Sequence, residues 1–187
     1  MSFREDLQSK YNLSDTEWEE TIHKFRPLQI GAKSFFLKEG QIPNKIGILQ
    51  SGLMRSFVYN DNGDEVTTHF FQPGTVVISI ESFNSQVGAN ENIVALTDST
   101  LLAISHEDMQ QLYKTVPVWP QICMDVSEMK NQTLIARSVQ FQTLSASKRY
   151  DLFCKDYPNV LQKVALHHIA SYLGIDIATL SRIRKKR

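Results

Sequence analysis

Cysteine is scarce in this sequence. The sequence also has no long apolar run and no excess of positive or negative charge. The two cysteines among its 187 residues, Cys123 and Cys154, are far apart and fit neither a metal-binding nor a disulfide spacing. Reduced thiols in a cytoplasm are the simplest explanation for them. The charged start Met1–Asp6 precedes no apolar segment, and no run is long enough to cross a bilayer. We therefore expect a cytoplasmic protein with no signal peptide and no membrane partner.

The net charge of zero conceals an uneven distribution of charge along the chain. Residues 148–187 contain nine Lys and Arg but only three Asp, a net charge of +6, so the rest of the chain carries −6. A basic end on an acidic body suits a polyanionic partner for that end. The alternative is a solvated basic tail, which is all that residues 184–187 would indicate on their own.

The first half of the chain changes from a helical to a β pattern, at an apolar content of 42% that is ordinary for a globular protein. Residues 1–26 are predicted to be helical, with a helix start at Ser14–Glu17. From Leu28 to Ser105, short β-branched and aromatic runs alternate with turns, and glycines recur at positions 40, 52, 63 and 74. Asn62-Gly63 between two such runs is a strong hairpin signal. The spacing predicts an all-β sandwich or barrel, such as a jelly roll.

Beyond Ser105 the apolar period becomes helical. We predict a short helix from Asp108 to Lys114, a long helix over 117–144, a hinge at 145–147 and a helix over 148–157. In the long helix, apolar and small residues repeat at intervals of four and three, as in a helix-pairing seam. These residues are Ile122, Val126, Met129, Thr133 and Ala136. A helix of this length, ~40 Å at 1.5 Å per residue, outreaches a small roll, so we expect self-pairing; the alternative is that the stripe packs only on the β domain.

The end of the chain has the pattern of a helix-turn-helix. Apolar residues recur three and four apart on both sides of Gly174, which permits the positive φ of a tight turn. The residues predicted to face the shared core are Ile169, Leu173, Ile175, Leu180 and Ile183. In such a motif the second helix enters the DNA major groove, which predicts a transcriptional function. An ordinary amphipathic hairpin with a glycine turn is the alternative.

The remaining residues of the second helix are the candidate DNA contacts. Arg182 can pair with guanine O6 and N7, while the other polar residues are better placed for phosphates, which position a protein without specifying sequence. The candidate DNA-binding residues are Ile177, Ala178, Thr179, Ser181, Arg182, Arg184, Lys185 and Lys186.

The order of N-terminal helix, glycine-punctuated roll, long helix and helix-turn-helix resembles the Crp/Fnr family of bacterial transcriptional regulators. The segments that carry the resemblance are Glu39-Gly40, Ser51–Arg55, Asn62-Gly63, Gln72–Gly74 and Ile169–Lys185. It covers nearly the whole chain and implies an α+β fold. A cyclic-nucleotide-binding-like β-roll (a double-stranded β-helix, or jelly roll) with N-terminal helices would span 1–115. A long dimerisation helix with its hinge would span 116–146, and an all-α helix-turn-helix DNA-binding domain would span 147–187.

The resemblance also implies an effector pocket in the roll. Relatives that bind cyclic AMP use a glutamate for the ribose and an arginine for the cyclic phosphate, and the matching positions here are Ser79 and Ala89. The cassette over residues 78–95 contains no Lys or Arg, so a phosphate would lack charge-assisted bidentate bonds. We expect no tight binding of cyclic AMP, but a small apolar or weakly polar effector, or none; no cofactor can be named. The candidate pocket residues are Ser79, Ile80, Glu81, Ser82, Ala89, Asn90 and, on the long helix, Leu134 and Ile135.

The base-reading trio implied by the resemblance falls on Ile177, Ala178 and Arg182, so only the arginine is kept. Ala178 cannot accept a hydrogen bond from cytosine, but it could touch a thymine methyl, which predicts an altered half-site. Many relatives continue into a β-hairpin wing, whereas this sequence ends at Arg187. We therefore expect fewer phosphate contacts.

Two other functions stay open. One is a ligand-sensing roll whose helical tail serves assembly and has lost DNA binding. The other is an enzyme of the cupin type, which would need several histidines and a carboxylate clustered on strands, and only His69 lies clearly on a predicted strand. No nucleophile arrangement is visible, so we expect no catalytic residue, no metal and no enzyme. His69 and His106 are expected to be ordinary surface or hydrogen-bonded histidines.

Overall fold

The computed structural model describes residues 3–186, so Met1, Ser2 and Arg187 lie outside the described residues. Helices α1 (Phe3–Tyr11) and α2 (Asp15–Ile22) come before the strands. The second of them begins where the sequence predicts, because Ser14 forms a capping box. Its hydroxyl accepts from the Glu17 amide at 3.3 Å, and the Glu17 carboxylate accepts from the Ser14 amide at 3.0 Å.

The strands form the predicted roll over residues 26–105, together with one short helix. They are β1 (Arg26–Ile30), β2 (Phe35–Leu37), β3 (Lys45–Ser51), β4 (Met54–Tyr59), β5 (Glu65–Phe71), β6 (Val76–Val77), β7 (Asn92–Ala95) and β8 (Ser99–Ser105), with α3 (Ile80–Ser85) between β6 and β7. Within this span the strands pair antiparallel in two sheets, ordered β1-β8-β3-β6 and β2-β7-β4-β5. This is a jelly-roll arrangement.

The predicted hairpin at Asn62-Gly63 joins β4 to β5. Gly63 has a φ of +82°, and the Asn60 side-chain oxygen accepts from the amides of Asn62 and Asp64. Such a turn requires a residue that tolerates positive φ, which is why glycine occupies this position.

The core of the roll lies between the two sheets. Leu49, Met54, Phe71, Ile93 and Leu101 are at most 1% exposed and pack together there. Full burial of a side chain of this size is worth roughly 1.5–3 kcal/mol. Central strands such as β3 and β7 are buried at consecutive positions, and Ile46 and Ile48 of β3 pack against the helices outside the roll.

Helices make up the rest of the described chain: α4 (His106–Thr115), α5 (Trp119–Thr143), α6 (Ala146–Asp156), α7 (Pro158–Lys163), α8 (Leu166–Leu173) and α9 (Ile177–Lys185). The predicted hinge at 145–147 is wrong in extent. The Ser145 hydroxyl accepts from the Lys148 amide, so α6 begins at Ala146 and only Leu144 and Ser145 interrupt the helices. No helix in residues 3–186 combines the length and the apolar character needed to cross a bilayer.

The predicted pairing seam on α5 is only partly free. Ile122 is 5% exposed and packs with the N-terminal helices, and Val126 is half-buried, so this end of the stripe packs on the chain's own fold. The apolar side chains that α5 leaves more than half exposed are Met124, Met129, Leu134, Ile135 and Val139, and of these only Met129 belongs to the predicted stripe. The sequence pattern did not separate the buried side of α5 from its exposed apolar side, because a helix with apolar residues on two sides shows a single broad apolar stripe.

The C-terminal helices share their core with the roll. Leu53 and Phe70 of the roll pack with a helical cluster formed by Tyr150, Phe153, Val160, Ile169, Ala170, Leu173 and Leu180. The position of the helix-turn-helix therefore depends on contacts with the roll as well as on contacts among the C-terminal helices.

Candidate DNA-reading helix and effector pocket

The turn between α8 and α9 depends on Gly174. Its φ is +63°, its amide donates to the Ser171 carbonyl, and the Ile175 amide donates to Ala170, which together end α8. A Cβ at Gly174 would lie 2.7 Å from the Phe141 ring of α5. Glycine is thus favoured by the backbone conformation, and its lack of a Cβ lets the Phe141 ring of the long helix pack directly on the turn.

The start of α9 is capped by Asp176. Its carboxylate accepts from the Thr179 amide at 2.7 Å and from the Thr179 hydroxyl at 2.8 Å, and these bonds hold the pKa of Asp176 below its usual range. The Thr179 hydroxyl in turn accepts from the Arg182 guanidinium at 2.9 Å. The predicted phosphate contact Thr179 is therefore engaged within the helix, where it orients Arg182.

The two faces of α9 differ as the sequence predicts. Leu180 is fully buried and Ile183 packs against the same core, while Ile177 on the outer side is 50% exposed. The other candidate contacts that are exposed are Ala178, Arg182, Arg184, Lys185 and Lys186. Ser181, like Thr179, is half-buried, so it is less available to DNA than expected.

The helix-turn-helix is docked on strand β5 of the roll. The Ser171 hydroxyl of α8 accepts from the Thr67 amide at 2.8 Å and donates to the Glu65 carbonyl at 3.0 Å. Beside it, the Phe70 ring meets the rings of Tyr172 at 5.3 Å and Phe153 at 5.8 Å between centroids. Strand β5 therefore holds the helix-turn-helix by both polar and aromatic contacts.

Arg137 of α5 ties the long helix to both neighbours. Its guanidinium donates to the Thr68 carbonyl of β5 and, at 2.7 Å, to the Tyr172 carbonyl of α8, and it lies 4.1 Å over the Tyr172 ring. Burial lowers the pKa of Arg137, and the tyrosines nearby oppose that shift. A second arginine, Arg149, donates to the last carbonyl of α8, Leu173, at 3.1 Å.

A pocket of about 420 Å³ lies between the roll and α5. Its lining consists of Ser56, Thr68, His69, Ser79, Ile80, Glu81, Asn90, Glu91, Lys130, Asn131, Thr133 and Leu134. The structure thus brings together Ser79, Ile80, Glu81, Asn90 and Leu134 from the predicted set.

Three predicted pocket residues lie elsewhere. Ser82 is buried in α3 at 3% exposure and does not line the pocket, and Ala89 packs in the core between the sheets. Ile135 is 64% exposed on the outer side of α5, because a step of one residue turns a helix by about 100° away from Leu134. Thr133, on the other side of Leu134 in sequence, lines the pocket instead.

Sequence reasoning missed the one lysine that reaches this pocket. The Lys130 ammonium donates to the Ile78 carbonyl at 2.7 Å, and burial lowers its pKa while the Glu91 carboxylate opposes that shift. The search for a cation was confined to the cassette, whereas Lys130 comes from α5. Its spacing of four residues from Leu134 is the signal that could have placed it on the same helix face.

His69, which the sequence suggested to be an ordinary surface or hydrogen-bonded histidine, is half-buried and lines the pocket. Its ring meets the Phe71 ring at 4.7 Å between centroids. Burial, followed by the positive charges of Lys130 and Arg137, lowers the pKa of His69 to about 3. The imidazole is therefore neutral near pH 7 and serves the pocket as a hydrogen-bonding group without charge.

Residues 27–116 match the family described as cyclic nucleotide-binding domain. FixK2 from Bradyrhizobium japonicum has a TM-score of 0.76 at 13% identity, with 87% of this chain and 83% of that chain covered. The regulator CLP from Xanthomonas campestris has a TM-score of 0.71 at 16% identity, with 92% and 91% covered. The catabolite activator protein of Thermus thermophilus has a TM-score of 0.59 at 18% identity, with 94% and 84% covered.

These likenesses show that the chain shares the fold of these three proteins, over the helices that follow the roll as well as over the roll itself. No curated protein sequence matches the chain.

The pocket between the roll and α5 is polar, and its two carboxylates outnumber its one ammonium group, which disfavours an anion. Glu81 and Glu91 line it together with Lys130, and the other polar groups of the lining are hydroxyls, amides and the neutral imidazole of His69. Such a lining can hydrogen-bond an uncharged polar ligand from several sides. Within residues 3–186, no three His, Cys, Asp or Glu side chains are clustered so as to hold a metal ion.

Proposed function

We propose that this chain is a Crp/Fnr-type transcriptional regulator, which binds double-stranded DNA as a homodimer under the control of a small effector in the roll. The observation that carries this proposal is the geometry of α9. Its apolar side is buried, while Arg182, oriented by Thr179, lies exposed among further basic residues. Such a regulator would act in the cytoplasm, where it meets DNA.

Base reading would depend mainly on Arg182. A bidentate contact to guanine is worth roughly 1–3 kcal/mol of discrimination against another base. Ile177 and Ala178 offer apolar groups that suit a thymine methyl. The basic residues 184–186 would contact phosphates. Removal of any one of them would weaken binding to all DNA sequences alike.

The homodimer would form through the outer side of α5. Met124, Met129, Ile135 and Val139 are each more than half exposed on this helix, which is unusual for large apolar side chains on a monomer surface. Ile135 and Val139 are one turn apart, and Met124 lies three turns before Ile135, so these three form one stripe, with Met129 to one side of it. A twofold axis along this stripe would place two α9 helices for half-sites about 34–36 Å apart.

The effector would be a small polar molecule without a net negative charge. The sequence allowed either a small apolar or a weakly polar effector. The lining favours the weakly polar one, because it consists of hydroxyls and amides as well as two glutamates. We propose that cyclic AMP is not bound tightly, since the lysine present is a single point charge already bonded to a carbonyl. Calorimetry tests this directly: a micromolar dissociation constant for cyclic AMP would contradict it.

Selection of bound fragments from random duplex DNA at low salt tests the main proposal. We expect enrichment of paired half-sites with a centre-to-centre spacing of about 10 base pairs, and loss of that enrichment in Arg182→Ala. The competing function, a ligand-sensing roll that has lost DNA binding, is favoured by Ala178 in place of the base-reading glutamate of relatives. It predicts no gel shift with any duplex even at low salt.

A further inference from the structure

A second cavity, of about 140 Å³, lies on the other side of α3 from the effector pocket, between the first sheet and helices α1, α4 and α5. Its inner wall is formed by deeply buried side chains, each at most 7% exposed: Phe25, Ile48, Phe83, Met109, Trp119 and Ile122. The two cavities share only Ile80 among their lining residues. This space is therefore a separate site.

The lining of this cavity contains no Asp, Glu, Lys, Arg or His. Its polar side chains belong to the more accessible part of the lining: Asn84 is exposed, and Tyr11, Tyr113 and Ser127 are half-buried. A charged group placed inside would lose its hydration without gaining a partner, whereas an apolar group would replace empty space. The cavity has an apolar interior and a polar mouth.

Natural cores contain few voids larger than a water molecule, because unfilled space removes packing contacts. An apolar cavity of about 150 Å³ lined by Leu, Ile and Phe stays dry and admits benzene. We propose that this second cavity binds a neutral, mainly apolar small molecule about the size of one aromatic ring, whose single polar group, if present, meets Asn84 or Tyr113 at the mouth. This site is independent of DNA binding and of the effector pocket.

Toluene is the probe for the test, and tryptophan fluorescence of the full chain is the readout. The chain has two tryptophans, both in the core cluster around the cavity, and Trp119 lines it directly. Titration with toluene is expected to give a saturable change in emission. Benzoate, which has a similar ring but carries a charge, is expected to give none.

A substitution that fills the space locates the binding. Val126→Phe adds a ring to a residue of α5 that lines the cavity, and it is expected to weaken toluene binding about tenfold or more. Val87→Phe makes the same change at an exposed position outside the lining and is expected to leave binding unchanged. Circular dichroism of both variants establishes that they are folded.

Absence of a saturable response in the unmodified chain overturns the proposal, whatever the variants do. So does a response to benzoate as strong as that to toluene, because the site would then not select neutral ligands. A folded Val126→Phe variant that binds toluene as well as Val87→Phe does would place the binding elsewhere and also overturn it.

Discussion

The guanidinium of Arg137, on the long helix, donates a 2.7 Å hydrogen bond to the backbone carbonyl of Tyr172 in the first helix of the helix-turn-helix. The same group donates to the carbonyl of Thr68, whose side chain lines the effector pocket. One side chain thus joins the strand that lines the pocket, the long helix and the first helix of the helix-turn-helix.

Removal of the Arg137 guanidinium is expected to loosen this junction. In Arg137→Met the helix-forming stem remains, but two buried carbonyls lose a charged donor, and a hydrogen bond to a charged group is worth about 1.5–3 kcal/mol. We expect the free energy of unfolding to fall by about 2 kcal/mol in urea titrations. Lys148→Met, at an exposed position, is the control and should change it by less than about 0.5 kcal/mol. Equal stability of the two variants would contradict the role of Arg137.

Ser171 is expected to hold α8 on the strand. Ser171→Ala removes both the acceptor for the Thr67 amide and the donor to the Glu65 carbonyl, which should lower stability by about 1–3 kcal/mol. Hydrogen exchange of the Thr67 amide should accelerate. Ser147→Ala, exposed on α6, is the matched control. Unchanged protection of Thr67 in Ser171→Ala would show that the hydroxyl does not secure the docking.

Substitutions of Arg182 and Lys186 are expected to affect DNA binding in different ways. Arg182→Ala should reduce binding to the selected duplex by about 5- to 150-fold while it changes binding to random duplex much less, because a base contact is lost. Lys186→Ala should weaken both duplexes alike and reduce the slope of log affinity against log salt by about one. Fluorescence anisotropy over a range of salt concentrations measures both effects. If the two variants behaved alike on both duplexes, Arg182 would not be the base-reading residue.

The outer stripe of α5 is expected to hold the dimer together. Ile135→Glu and Val139→Glu each place a like charge opposite its own copy in a buried interface, so sedimentation should show a monomer. Gln110→Glu introduces the same charge at an exposed position on α4 and should remain dimeric. A dimer that survives both α5 substitutions would have to use another surface.

The imidazole of His69 is expected to make the free energy of unfolding depend on pH. Its pKa of about 3 in the folded chain lies below the ordinary value of 6.5, so between these values the unfolded chain binds a proton that the folded chain does not. Its contribution is complete above about pH 6.5 and declines as the pH falls toward 3, by up to about 1.4 kcal/mol per pH unit. His69→Gln should remove this part of the slope in urea titrations between about pH 4 and pH 6.5.

A smaller slope is expected to remain in His69→Gln. Burial, and then the charge of Arg55, lowers the pKa of the half-buried His168 to about 4, so this histidine contributes over a narrower range in the same direction. A slope that is identical in the native chain and in His69→Gln would show that His69 is exposed to solvent.

Features set by near neighbours were predictable from the sequence. The capping box at Ser14, the hairpin glycine Gly63 and the turn glycine Gly174 each depend on backbone groups a few residues away. The register of an amphipathic helix is equally local, so the buried side of α9 at Leu180 and Ile183 followed from spacing alone.

The composition of the pocket was only half predictable. The cassette lies in one continuous segment, and Ser79, Glu81 and Asn90 could be placed from it. Lys130 comes from a helix 52 residues away from the carbonyl that it contacts, so no local pattern links the two. Ala89 was misplaced for the same reason, because the sequence does not show which side of that segment packs into the core.

The sequence by itself therefore determined the order of the N-terminal helices, roll, long helix and helix-turn-helix, the turns at Gly63 and Gly174 and the exposed basic side of α9, since these follow from periodicity, capping and glycine conformations. It did not indicate the short helices α3 and α7. Only the tertiary structure decided that β5 holds the reading helices, that Arg137 joins three parts of the chain and that α5 exposes Ile135 and Val139 rather than Ile122. Those outcomes arise from packing between segments far apart in sequence, where competition for burial, and not local preference, selects the partner.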